Sequence, residues 1–247
     1  MKKTFDSAFV SEILQEKHRY TKFGKFIRRV FSFINKHNPH LKLDVKFKGM
    51  MGVEKGVNIY HLLSQVLVQK IPGDVVELGC YAGLTSVVMQ KTLDQHEAAK
   101  QLHLYDSFEG LPELSAKDGK ISDKAGSMSA SMKQVIGNFK RFRVKLPKLH
   151  RGWFRDTLPN QLPEKICFAH LDGDLYSSIK ESLTYVYPRL SKGAVVVIDD
   201  YCDNSVIDVK DVFPGVKKAC DEFFRDKEEK VSVLSAGDFP QGYFRKE

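Results

Sequence analysis

From residue 54 to the carboxyl terminus, short apolar runs alternate with amphipathic stretches of helical period, and this alternation constrains the fold more than any other feature. Parallel strands are joined by crossovers that lay helices on both faces of a sheet, so such strands read as continuous apolar runs bounded by turn residues. The expected strands are Asp74 to Leu78, Leu102 to Tyr105, Lys145 to His150, Ile166 to Leu171 and Ala194 to Ile198, with two late ones at Val231 to Leu234 and Gly242 to Arg245. Helices are expected at Val57 to Gln69, Thr85 to Leu93, Ser129 to Phe142, Ser177 to Leu190 and Val216 to Arg225. The fold class is therefore α/β. A chain of 247 residues, 42% hydrophobic and 28% charged, suits one such domain and leaves little room for another. Residues 113 to 128 are polar and glycine-bearing and are expected as a mobile loop over the carboxyl edge of the sheet.

The formal net charge of +8 is confined to one end. Residues 1 to 50 hold 12 Lys+Arg against 4 Asp+Glu, whereas the rest of the chain holds 27 of each. Residues 1–53 are read as a basic helical arm or lid and 54–247 as the α/β domain. In the arm, Phe23, Phe26, Ile27, Val30, Phe31 and Ile34 recur at helical spacing among lysines and arginines. A helix of this kind is expected to pack on the body or on a second subunit of a homo-oligomer, and contact with a membrane surface is the competing reading. The neutral body argues against nucleic acid as a partner. The start of the chain lacks the apolar core of a signal peptide and no run is long enough to span a bilayer, so a cytoplasmic location is expected. Cys80, Cys167, Cys202 and Cys220 are too few and too scattered for a disulfide framework or a zinc site.

The segment from Asp74 to Gly83 reads Asp-Val-Val-Glu-Leu-Gly-Cys-Tyr-Ala-Gly, a strand running into a glycine-marked turn and then a helix. Open α/β sheets bind ligands at this edge. Gly79 and Gly83 allow close backbone approach, and the helix beyond offers free N–H groups. The spacing lacks the G-x-G-x-x-G of dinucleotide sites, which argues against NAD. Asp106 ends the following strand and is placed to accept hydrogen bonds from ribose hydroxyls, although a lone acidic residue there is more often a solvated loop residue.

His170-Leu-Asp-Gly-Asp-Leu-Tyr176 and Val197-Ile-Asp-Asp-Tyr201 bring Asp172, Asp174, Asp199 and Asp200 to the ends of neighbouring strands. Carboxylates so clustered repel one another unless a cation compensates, and an oxygen-rich set suits Mg²⁺ or a similar divalent ion. The ligand candidates are Asp172, Asp199 and Asp200; the competing role for either of the last two is to cap the following segment.

These stretches, together with Tyr105-Asp-Ser-Phe-Glu-Gly-Leu-Pro112 and Gly152-Trp-Phe-Arg-Asp-Thr-Leu-Pro159, resemble the macrocin O-methyltransferase (TylF/MycF) family over residues 70 to 225. The resemblance implies a Rossmann-like class I methyltransferase fold, with a seven-stranded, mostly parallel sheet whose last strand is antiparallel. It implies S-adenosylmethionine as methyl donor, Mg²⁺ held by Asp172, Asp199 and Asp200, and a hydroxylated small molecule, a sugar or glycosylated metabolite, as acceptor. On that basis Glu77, Gly79, Tyr81 and Ser107 are expected along the methionine and ribose parts of the cofactor, and Asp156 toward adenine. The general base is expected at Asp172 or Asp174, with His170 as a further candidate whose strand position also suits a buried structural histidine. Tyr81 and Ala82 depart from the tryptophan and arginine common in the family, and the basic arm has no counterpart. A nucleic-acid methyltransferase and a non-catalytic cofactor-binding scaffold are the alternatives.

Overall fold

The computed structural model describes residues 52–208, 210–237 and 239–247. In chain order the elements are α1 (Val53–Val68), β1 (Asp74–Leu78), α2 (Leu84–Gln95), β2 (Leu102–Asp106), α3 (Met132–Arg141), β3 (Lys148–Arg151), α4 (Phe154–Gln161), β4 (Ile166–Leu171), α5 (Tyr176–Val186), β5 (Leu190–Asp199), α6 (Pro214–Phe223), β6 (Ser232–Leu234) and β7 (Gln241–Arg245). The seven strands form one sheet in the order β3-β2-β1-β4-β5-β7-β6. β7 runs antiparallel to β5 and β6, and the other neighbours are parallel. The basic arm lies outside the described residues, and among those described no helix is long and apolar enough to cross a membrane.

Continuous apolar strands follow from burial on two faces. Along β5, Val195 and Val197 join Ile59, Leu63, Val88 and Phe168 in a core under α1 and α2. Val196 and Ile198 point the other way and join Ile179, Leu183, Val216 and Ala219 under α5 and α6. Side chains alternate along a strand, so a strand covered on both faces is apolar at most positions, and a polar residue there needs a buried partner. Every residue of β4 is buried, His170 included.

Three differences from the sequence reading have physical causes. Helix α4 was not expected, because Pro159 lies inside it and proline disfavours helix interiors. β3 is shorter than expected and half-exposed, as suits an edge strand. The 113 to 128 stretch is pinned down. Asp118, 1% exposed, ends a 3₁₀ turn at Ala116–Asp118 and accepts from the backbone N–H of Tyr176 at 2.6 Å and of Ser115 at 2.7 Å. Leu111 also pairs with this stretch, through Leu111 N–H to Ser127 O and Gly126 N–H to Leu111 O.

Candidate active site

Strand order reverses direction between β1 and β4, which opens a crevice at their carboxyl ends. A cavity of about 740 Å³ lies there, bounded on one side by the β1–α2 turn and on the other by the ends of β4 and β5. Gly79 sits in the left-handed region at φ +86°, and a Cβ on it would stand 1.9 Å from the carbonyl oxygen of Asp172. No side chain can occupy that position while β1 and β4 stay paired. The turn is stitched to β2 by Asp106, whose Oδ2 accepts from the N–H groups of Cys80 at 2.9 Å and Tyr81 at 3.1 Å, while Oδ1 accepts from Phe108 N–H at 2.7 Å.

Register sets the rest. Leu78, Leu171 and Ile198 are level across β1, β4 and β5, so Gly79, Asp172 and Asp199 emerge at one height. Asp174 and Asp200 follow at φ +57° and +54°, turned back toward the same space. Carboxylate oxygens of Asp172, Asp174 and Asp200 lie within 4.8 Å of one another, as do ligand atoms of His170, Asp172 and Asp199. Burial and the neighbouring carboxylates push Asp172 and Asp174 well above the usual carboxylate range, and burial takes Asp200 up to about 6 despite the lysine beside it.

Asp199 behaves differently. One of its oxygens takes the Lys55 ammonium at 2.5 Å; the other accepts from Gln241 Nε2 at 2.5 Å and faces His170 Nε2 at 3.3 Å. Burial works against its charge, yet Lys55 and His170 hold it below its ordinary value. His170 in turn meets Glu77 at 3.0 Å through Nδ1, and Glu77 also accepts from the Ser86 hydroxyl. Burial alone would deprotonate this imidazole, but the two carboxylates raise it to about 10.

Gly79, Tyr81, Asp106, Ser107, Asp172, Asp174, Asp199 and Asp200 all line the cavity. Four other expected site residues do not. Glu77 and His170 are each 1% exposed and face each other beneath the floor, because both lie on the strand face that packs under α1 and α2. Gly83 caps α2 at φ +76°, and its missing Cβ makes room for Val135 of α3. Asp156 points outward, its side chain 63% exposed next to Arg155. Sequence reasoning also missed Lys55 and Gln241, which reach the rim from α1 and β7; neither lies in a motif, and only long-range packing brings them there.

The residues present fit both a divalent cation and a nucleoside-bearing cofactor. Asp172 and Asp174, both half-buried, and the buried Asp200 place carboxylate oxygens within mutual ligand distance, an oxygen-rich donor set of the kind that suits a hard divalent cation. The glycine turn, with Asp106 and Ser107 at the edge of the cavity, provides a backbone-lined wall for a nucleoside.

A 3-2-1-4-5-7-6 sheet with one antiparallel strand and a ligand cavity beyond β1 and β4 is the Rossmann-like fold of the class I methyltransferases. The family model described as macrocin-O-methyltransferase (TylF) matches residues 7–246, and the chain belongs to that family. It is 34% identical over 174 residues to 8-demethyl-8-(2,3-dimethoxy-alpha-L-rhamnosyl)-tetracenomycin-C 4'-O-methyltransferase of Streptomyces olivaceus, covering 65% of this chain and 67% of that one. It is 30% identical over 164 residues to mycinamicin III 3''-O-methyltransferase of Micromonospora griseorubida, covering 62% and 65%. The similarity thus spans about two thirds of the length of these relatives. Among solved structures, the O-methyltransferase NovP is similar with a TM-score of 0.67 and 26% identity over 80% of this chain and 81% of that chain.

Proposed function

We propose that the protein transfers a methyl group from S-adenosylmethionine to a hydroxyl of a sugar or glycosylated metabolite, and that the reaction requires a divalent cation. The observation that carries this reading is the convergence of Asp172, Asp174, Asp199 and Asp200 on the cavity that the glycine turn also bounds. Gly79, Tyr81, Asp106 and Ser107 would hold the cofactor, and Asp172 and Asp200, with Asp199 or Asp174, would hold Mg²⁺. When bound, the cofactor supplies a methyl group on a sulfonium leaving group, and the metal supplies a Lewis acid that lowers the pKa of the acceptor hydroxyl.

The chain's own part is positioning and proton handling. The acceptor's proton passes to Asp172 or Asp174, the carboxylates that line the cavity at the end of β4. His170 is replaced in that role: beneath the floor and out of reach of the cavity, it orients Asp199 instead. A sugar acceptor is supported by the names of the similar enzymes, which act on glycosylated natural products. A nucleic-acid acceptor is disfavoured by an acidic rim that repels phosphate and by a body of balanced charge. The arm, residues 1–53, fits a lid or a subunit contact in a homo-oligomer, with membrane-surface binding as the alternative.

The test is methyl transfer from labelled S-adenosylmethionine to a panel of sugars and glycosides, with and without chelator. Chelation should abolish transfer, added Mg²⁺ should restore it, and binding of S-adenosylhomocysteine should survive throughout. Full turnover in chelator would refute the metal requirement and leave a metal-independent methyltransferase.

A further inference from the structure

Five carboxylates, Glu77, Asp172, Asp174, Asp199 and Asp200, gather at the ends of β1, β4 and β5, and two side-chain cations are inserted among them. The two cations differ in access. His170 is sealed beneath the floor, held from both sides by Glu77 and Asp199. Lys55 lines the cavity. It comes from the first turn of α1, and its ammonium stands 2.5 Å from Asp199 Oδ2 and 3.2 Å from Asp200 Oδ1.

A buried lysine is costly unless paired, and 8% exposure for a side chain of this length means its whole stem is packed. Such a residue is placed by its partners. Asp199 and Asp200 are both expected ligands of the divalent ion, and the ammonium already occupies an oxygen of each. Phe239 lies on the cavity side of the pair, its ring centroid 5.5 Å from the ammonium, so the cation is not simply bathed in solvent. A compact ammonium is a point charge without directional demand, which suits it to hold an oxygen site that a metal ion can also claim.

We propose that Lys55 is a resident cation of the acidic rim, competing with the divalent ion for Asp199 and Asp200. The inference rests on the metal-dependent reading above. Lys55 keeps the carboxylates from repelling one another apart before the ion arrives, and it weakens the ion's hold by offering the same oxygens a charge built into the chain. It is a positioning residue that sets metal affinity. A consequence is that the first turn of α1 is tied to the state of the rim.

The experiment is equilibrium binding of Mn²⁺ to metal-free protein, read from the electron paramagnetic resonance of the free ion, for the wild type, Lys55→Met and Lys55→Arg. Binding of S-adenosylhomocysteine serves as the check on folding. Removing a unit charge a few ångströms from a divalent ion should tighten Mn²⁺ binding by roughly tenfold or more, even with heavy dielectric screening. Lys55→Arg, which keeps the charge, should stay within a few-fold of the wild type. A merely structural lysine predicts the opposite order, with Lys55→Met binding metal no better or worse. Unchanged or weakened Mn²⁺ binding by Lys55→Met, with S-adenosylhomocysteine affinity intact, overturns the proposal. Should Lys55→Met not fold, Lys55→Gln, one atom shorter but still polar and uncharged, is judged by the same outcome. If the wild type binds no Mn²⁺, the metal reading fails by itself; the competition then stands if Lys55→Met gains a Mn²⁺ site and falls if it does not.

Discussion

Replacing Asp106 by alanine separates two roles for this carboxylate. A residue serving only to accept ribose hydroxyls would leave the cofactor-free protein untouched. In the structure, however, its two oxygens accept from three backbone N–H groups, those of Cys80, Tyr81 and Phe108, at 2.7 to 3.1 Å. Asp106→Ala strips all three donors of their partner. Leaving a partly buried donor unpaired costs roughly 1 kcal/mol when water can reach it, so the loss should be about 3 kcal/mol in the absence of any ligand. For a domain of this size each kcal/mol lowers the melting temperature by about 2–4 °C, which predicts a fall of roughly 6–12 °C. Asp106→Asn should fall between, because one amide oxygen can serve one side of the turn while the amide NH₂ faces donors on the other. The assay is chemical and thermal unfolding of cofactor-free protein, followed by calorimetry with S-adenosylhomocysteine. An Asp106→Ala variant whose unfolding free energy without ligand stays within about 0.5 kcal/mol of the wild type, inside the usual surface range, would refute the stitching argument.

Gly79→Ala should not yield a cofactor-binding protein, since its Cβ meets the Asp172 carbonyl 1.9 Å away at a φ of +86°; a soluble variant that binds S-adenosylhomocysteine normally would contradict the β1–β4 junction described here. In chelator, stability should rise as pH falls from about 7 to about 5. Asp200 titrates near 6 in the folded chain against an ordinary 3.8, so the fold binds its proton more tightly than the unfolded chain does, and that stabilisation is absent above about 6 and grows below it. His170, raised to about 10, contributes stability that is complete below 6.5 and lost as pH rises through 10, which is the same sign; a melting temperature that declines between pH 7 and 5 would count against both. Asp118→Ala should cost about 2 kcal/mol by leaving the N–H of Tyr176 unpaired and should open residues 113 to 128 to limited proteolysis, and unchanged cleavage there would show that other contacts hold the loop.

Much of the architecture was legible because it rests on local periodicity. β1 and β4 were read to the residue from apolar runs bounded by turn signals, and the glycine turn from Gly79 and Gly83. The carboxylate rim was also legible, because aspartates directly after two neighbouring parallel strands must share an edge. Helix α4 was hidden by Pro159, whose local penalty is outweighed by burial of Leu158 in the core.

By itself, then, the sequence determined the α/β alternation, the order of turn, carboxylate and rim along the chain, and the edge at which they meet. Only the tertiary structure decided which of those groups face the cavity. Glu77 and His170 were read as site residues from their motifs, but strand parity turns both under α1 and α2, where they pair with each other. Asp106 was read as an acceptor for ribose hydroxyls, and the fold also engages one of its oxygens with the backbone of the β1–α2 turn and the other with Phe108 N–H. Lys55 and Gln241 carried no signal at all, because their partner Asp199 lies 144 and 42 residues distant. Strand and helix preferences act over a few residues, so they can be read from the chain; the pairing of a buried charge is settled by whichever residues the packed sheet and helices bring within a few ångströms of it.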